Sequence, residues 1–414
     1  MTGPLGYDGF RATAWGRAAS FVGNGMAPVA LSFAVLDLTG SVTQLGLVVG
    51  ARSVTAVVTM LFGGVLADRF PRRLVLQGTS FGAAVTQAAA GVSVLGGFTS
   101  VALLMVLSAL NGAFAAVELP TTTALVSQTV PRELLRRANA LLRTCTATAT
   151  VCGAAAGSAL IGWAGPGWGI LVDAATFAVA GLLFGRICLA DAPPTAGRRS
   201  LLGDLREGRE EFLRHRWLWT VVLHACVWQL VWAGSVQVIG PAVAETHTGP
   251  RTWGFVLAAQ AVGAIAGGVI ALRRRPRAAL ATGVLLTSVS AALPWSLAGA
   301  PRALVLIPAA LLAGVAMEQV NVALTVAVQE RVAPRRLARV TSYQVLGSLA
   351  AVPLGQLVAG PLATAFGQGR VLAAAGVSIV VVTLAVVAVP DVRSVREGDK
   401  GDQPRTKTSE ESVT

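Results

Sequence analysis

Long apolar runs separated by short polar punctuation fill this chain. A bilayer core of about 30 Å is crossed by about 20 helical residues, and twelve runs reach that length. They span residues 12–36, 43–67, 74–96, 100–127, 138–163, 167–189, 217–244, 252–272, 278–298, 302–329, 340–365 and 369–389. No strand-like alternation recurs, which argues against a β-barrel. The pattern predicts an all-α integral membrane protein with twelve transmembrane helices.

Composition agrees. Of the 414 residues, 54% are hydrophobic and 13% charged, with mean hydropathy +0.66; a soluble domain carries about 25% charged residues. The net charge of +13 would suggest nucleic acid in a soluble protein, but its distribution excludes that partner. Among the 33 basic residues, Arg251, Arg302 and Arg370 fall in loops of one face and Arg52 lies inside a helix. The other 29 are assigned to loops, helix ends and termini of the opposite face. Positive charge collects on the cytoplasmic side, so both termini are predicted to lie in the cytoplasm. The first apolar run is long enough to span and shows no cleavage region, so no removable signal peptide is expected. Cys145, Cys152, Cys188 and Cys226 lack metal-ligand spacing and read as small apolar packing residues.

The chain also repeats itself. Gly63–Arg73 reads GGVLADRFPRR, and Gly267–Arg277 reads GGVIALRRRPR, 204 residues later. A second landmark, VPRELLRR at 130–137, returns as APRRLAR at 333–339 with an offset of 203. Two landmarks at one offset predict parallel six-helix repeats: 1–189 and 217–389, joined by a cytoplasmic linker at 190–216 and followed by a disordered tail at 390–414. In the linker Leu201, Leu205 and Phe212 share a helical face, which fits a helix on the membrane surface or a solvated charged segment. Trp217 and Trp219 are placed near the headgroups.

The first hairpin resembles the signature loop between helices 2 and 3 of the major facilitator superfamily. Gly64, Asp68, Arg69, Arg72 and Arg73 fall on that motif, and Pro71 stands where its second glycine is usual. The segments NGMAPVAL at 24–31, VPRELLRRANA at 130–140, DAATF at 173–177 and QERV at 329–332 are similar to the bacterial branch containing macrolide-efflux and enterobactin-export proteins. The resemblance implies alternating access about a midplane cavity. It also implies that Asp68 helps latch one face shut, with Leu272 at its place in the second hairpin. Two departures stand against a simple antiporter: Asn24 sits where relatives carry an Asp, and Gly153–Gly157 lacks the usual Gly-Pro of helix 5.

Ionisable groups inside a membrane cost about 2.5–3.5 kcal/mol on insertion scales, so those present are functional candidates. Glu118, Glu318 and Asp173 are the proton-coupling candidates, with Asp173 read first as a structural helix-end residue. Asn24, Arg52, Asn111, Trp228, Gln229, Trp232 and Gln237 are the substrate-cavity candidates. Arg52 can pair with an acid, attract an anion or snorkel to the headgroups. The tryptophans can wall a cavity for amphipathic molecules, cations included, or face lipid. His224 is open to a proton role or a packing role.

Both lysines, Lys400 and Lys407, lie in the tail, so no phosphate-binding Gly-x-x-x-x-Gly-Lys loop exists. No nucleophile–base cluster or metal spacing is present, so neither enzyme activity, cofactor nor metal is expected. The expectation is a monomeric permease of the cytoplasmic membrane, surrounded by lipid. It exports a hydrophobic or amphipathic small molecule (drug, antibiotic, secreted metabolite or siderophore) in exchange for protons. An uptake or uniport carrier of the same fold, or a transport-dead scaffold or sensor, is the alternative.

Overall fold

A computed structural model describes residues 3–69, 71–187, 210, 212–273, 278–299, 301–332 and 334–395. Side chains at 61–69, 119, 120, 123, 124, 127, 132, 334–336, 338 and 339 are outside that description. The described residues form twelve long helices. The first six are α1 (Asp8–Thr39), α2 (Val42–Arg69), α3 (Arg72–Leu95), α4 (Val101–Thr129), α5 (Leu135–Ala164) and α6 (Pro166–Gly185). The second six are α7 (Arg216–His247), α8 (Gly249–Arg273), α9 (Ala279–Ala298), α10 (Ala303–Arg331), α11 (Val340–Phe366) and α12 (Gln368–Ala388). A short α13 (Pro390–Arg393) follows.

Eleven of the twelve are long and apolar enough to cross a membrane among the described residues. The exception, α3, has 24 residues but carries Gln77, Thr79, Ser80, Thr86, Gln87 and Ser93. Its polar stripe is not wasted on lipid: α3 packs against α4 and α6, and Ser80, Thr86 and Ser93 are buried.

Local chemistry sets the helix ends. Gly40, Gly97, Gly165, Gly249 and Gly367 have φ between 59 and 91°, the left-handed region that only glycine enters without a Cβ penalty. All five lie in turns at one end of the bundle, opposite the chain termini (the far face). Gly40 closes α1 by donating its N–H to the Leu36 carbonyl at 2.7 Å. Pro166 and Pro250 stand in the first turns of α6 and α8, where a missing N–H costs nothing.

Packing repeats as the sequence does. In the first six helices α1 packs on α5 and α6, α2 on α4, and α3 on α4 and α6. In the second six α7 packs on α11 and α12, α8 on α10, and α9 on α10 and α12. Two large cross-contacts join the sets, α2 with α11 and α5 with α8, beside smaller ones of α1 with α7 and α8 and of α2 with α7; the two large ones are related by the same two-fold. Gly46 of α2 lies against the Gln356 carbonyl of α11, and Gly254 of α8 against Ser158 and the Ala154 carbonyl of α5. Positions 46 and 254 are 208 apart, whereas the hairpins are 204 apart. That difference of about one helical turn matches α8 being the shorter helix, with 25 residues against 28 in α2.

Near the termini, α13 and the residues after it are packed: Val392 and Val395 are buried with Trp217 and Val221. Residues 390–395 of the predicted disordered tail are therefore ordered, because these valines bury apolar surface; 396–414 lie outside the described residues. Most of the predicted linker helix, 188–209 and 211, also lies outside them. Trp217 is buried in the protein, while Trp219 is exposed. A Cβ at Gly46 would come within 2.5 Å of the Gln356 carbonyl, so Gly46→Leu should wedge the far face apart. In a cysteine-free background, a cysteine at Thr43, beside Gly360, should then react faster with a membrane-impermeant maleimide; unchanged labelling would disprove the wedge.

Candidate functional site

The two sets of helices enclose a central cavity of about 440 Å³. Its walls come from α1 (Pro28, Leu31, Ser32), α2 (Val49, Arg52, Ser53, Ala56) and α4 (Gly112, Ala115). The facing walls come from α7 (Trp232, Val236, Gln237, Pro241), α8 (Trp253, Leu257, Gln260) and α11 (Gln356). Backbone irregularities open this space. Pro28 lies inside α1 and cannot donate to the carbonyl of Asn24 one turn earlier. On the other side, Ala233–Ile239 widens to a π-helix, a form that occurs mostly at functional sites; it carries Val236 and Gln237 into the wall.

Among the described residues, Arg52 is the one charged group lining the cavity. Its Nη2 donates to Asn24 Oδ1 at 3.5 Å, a long bond. Behind it stands Asp173 of α6, fully buried and packed where a Cβ on Gly23 would strike its Oδ1. Gln87 of α3 donates to Asp173 Oδ2 at 2.5 Å, and Oδ1 has no hydrogen-bond partner. Arg52 and Asp173 thus flank the consecutive α1 residues Asn24 and Gly23, close enough to interact electrostatically without direct contact. Asp173 sits within α6 in this cluster, not at a helix end. Asn111 is buried close by on α4 with neither side-chain atom bonded, but it is not part of the cavity wall.

On the opposite wall, Gln356 Nε2 donates to Gln237 Oε1 at 2.6 Å, and Gln356 Oε1 is buried without a partner. Gln260 completes an amide-rich surface. Trp228 and Trp232 stack with centroids 4.8 Å apart and planes 13° apart, so the predicted shared face exists, yet the two rings serve different spaces. Trp232 faces the central cavity. Trp228 donates to Ser290 Oγ at 2.9 Å and, with Gln229 and His224, lines a separate pocket of about 260 Å³ among α7, α9, α10 and α11. His224 Nε2 lies 3.1 Å from Thr383 Oγ1 and 3.2 Å from Thr287 Oγ1, an arrangement that joins α7 to α9 and α12.

The remaining acids are dispersed. Glu118 of α4 is held by Arg17 Nη1 of α1 at 2.9 Å and by Ser20 Oγ at 3.3 Å, and the Arg17 guanidinium lies 4.5 Å from the Phe21 ring centroid. This corrects the charge assignment made from sequence. Arg17 is not a face-end residue but a buried membrane cation, and it falls inside the predicted span 12–36. Glu318 of α10 is half-buried beside Gly267 and Gly268, away from the cavity wall, and interacts with Arg143 of α5 and Asn321. In the hairpin, the side chains of Gly64, Asp68 and Arg69 lie outside the described residues. Arg72 and Arg73 open α3, and Leu272 is 79% exposed. Trp253, Gln260 and Gln356 belong to the site and were missed; as single polar or aromatic residues within apolar runs, they were the available signal.

The sequence model of the Major Facilitator Superfamily matches residues 13–351. The multidrug efflux pump Tap of Mycobacterium tuberculosis (strain ATCC 25618 / H37Rv) is 26% identical over 92% of this chain and 94% of its own. An uncharacterized MFS-type transporter, y4rN, of Sinorhizobium fredii is 28% identical over 64% of this chain, and the match spans 66% of the relative. The enterobactin exporter EntS of Escherichia coli O1:K1 is 27% identical over 71% of this chain and 70% of its own. Among solved structures, the nucleoside transporter NupG superposes with a TM-score of 0.74 at 13% identity, covering 92% of this chain and 98% of that one. A bacterial homologue of the lysosomal transporter Spinster, inward-facing and unoccupied, gives 0.70 at 16% identity over 92% and 94%. These similarities to solved structures establish the fold alone.

The Arg17–Glu118 pair is 9% and 8% exposed, so removing one partner strands the other. Arg17→Met should cost about 3–5 kcal/mol and lower the melting temperature of the purified protein. The double change Arg17→Met with Glu118→Leu should recover most of that loss. A double variant no more stable than the single would refute this account.

Proposed function

Because the chain belongs to the major facilitator superfamily, we propose that it is a secondary active efflux permease working by alternating access and proton antiport. The single observation that carries this is Asp173 buried directly behind Arg52, the one cation of the central cavity. Proton uptake by Asp173 releases its electrostatic hold on Arg52, and loss of the proton restores it. Substrate in the cavity and a proton on Asp173 are thereby linked through one guanidinium. Glu118 is occupied by Arg17 and serves structure. Glu318, level with Arg143 across the α5–α8 boundary, is placed to open and close with the near face.

With both termini in the cytoplasm, the far face is external and its contacts through Gly46 and Gly254 close the cavity to the outside. On this reading the cavity loads from the cytoplasm. Asp68 serves as the near-face latch of the alternate state. The relatives Tap, a multidrug efflux pump, and EntS, an enterobactin exporter, support the outward direction. We place the protein in the cytoplasmic membrane as a monomer, its halves 1–189 and 217–389 rocking about the α2–α11 and α5–α8 contacts.

Proteoliposomes with an imposed pH gradient and a panel of amphipathic anions, neutral compounds and cations test the proposal. Expected are substrate-dependent proton flux in the parent and, in Asp173→Asn, loss of gradient-driven transport with substrate exchange retained. Absence of proton flux for the whole panel, or a variant that pumps like its parent, would sink it.

A further inference from the structure

The cavity's polar groups are distributed unequally between the repeats. Gly112 of α4 meets the Arg52 carbonyl, and Gly314 of α10 meets the Gln260 carbonyl. The pairs are offset by 202 and 208 residues, the latter also separating Gly46 from Gly254. Arg52 and Gln260 are therefore equivalent positions on opposite walls, one cationic and one neutral. Among the described residues no carboxylate lines the space. Asp173 faces Gly23 and Gln87 instead. Of the five N–H donors of a guanidinium, Arg52 uses one, in the long bond to Asn24, among the described residues. The rest are available to the cavity.

A cation entering would meet the Arg52 guanidinium first, with Asp173 behind it and no acid among the described lining residues to receive the charge. An anion would gain charge-assisted hydrogen bonds, which are roughly twice as strong as neutral ones. Leu31, Val49, Val236 and Leu257 line the rest of the space with apolar surface, and the buried Trp232 and Trp253 back it. We propose that the cargo is an amphipathic anion, its carboxylate, sulfonate or phenolate on Arg52 and its apolar body against the aliphatic wall. The assignment rests on the efflux proposal for the word cargo, but not for the preference in charge.

The test compares 8-anilinonaphthalene-1-sulfonate with N-phenyl-1-naphthylamine, the same body without the sulfonate, and with the cation rhodamine 6G. Saturable binding to the full chain in nanodiscs is measured against empty nanodiscs. The sulfonate should bind at least about tenfold more tightly than its uncharged parent, as one charge-assisted contact allows, and the cation most weakly. Arg52→Gln should shrink the gap to within about twofold, and Arg52→Lys should keep part of it, with melting temperatures near the parent's. Equal affinities, a preference for rhodamine 6G, or a gap that survives Arg52→Gln would overturn the assignment. Flux in proteoliposomes separates the two claims. Sulfonate preference without gradient-driven movement removes the efflux proposal and leaves the charge preference, whereas pumped rhodamine 6G insensitive to Arg52→Gln does the reverse.

Discussion

No water is available in the middle of a bilayer, so each backbone amide and each charge of this chain must be satisfied by the chain itself. Helices meet the first demand locally. The second requires partners from other helices, and it is these partners that tie the bundle together. Arg17 and Glu118 join α1 to α4, Gln87 and Asp173 join α3 to α6, and His224, Thr287 and Thr383 join α7, α9 and α12. Where apolar side chains gain nothing by leaving lipid for protein, such contacts and the close approaches at Gly46 and Gly254 determine which helices are neighbours.

Duplication supplied the mechanics and divergence the chemistry. The glycines that turn the chain between α5 and α6 and between α11 and α12, Gly165 and Gly367, share a positive φ, and the two large inter-half contacts obey the same two-fold. The buried charges do not. Among the described residues the one buried ion pair lies in the first six helices, while the second six answer with tryptophan, glutamine, histidine and hydroxyl groups. A symmetric frame with asymmetric walls can rock as one machine and still present a polar gradient across its cavity.

How much of this was legible beforehand depended on the range of the interaction. The helices α1 to α12 followed from apolar run lengths, since crossing a bilayer is a property of each segment alone. Arg52, Trp232 and Gln237 could be selected because a polar or bulky group in an apolar run is conspicuous; Asn24, selected likewise, bonds Arg52 but is not in the wall. Asn111 and Trp228 were selected on the same ground, yet one is walled off and the other turns to Ser290. Arg17 passed unnoticed although it lay inside the first span. An arginine near a predicted helix end looks like a topology anchor until Glu118, 101 residues away, is seen beside it.

Sequence alone therefore determined the solvent, the number of crossings, the internal repeat and the family, all of which are written in local composition and spacing. Tertiary structure alone decided that Glu118 is paired, that Asp173 stands behind Arg52, that Gln260 mirrors Arg52, and that Trp228 and Trp232 serve different pockets. Those facts depend on the rotation of each helix about its axis and on its height against its neighbours. A shift of one residue turns a side chain by about 100°, from cavity to lipid, and only packing against the other helices resolves it.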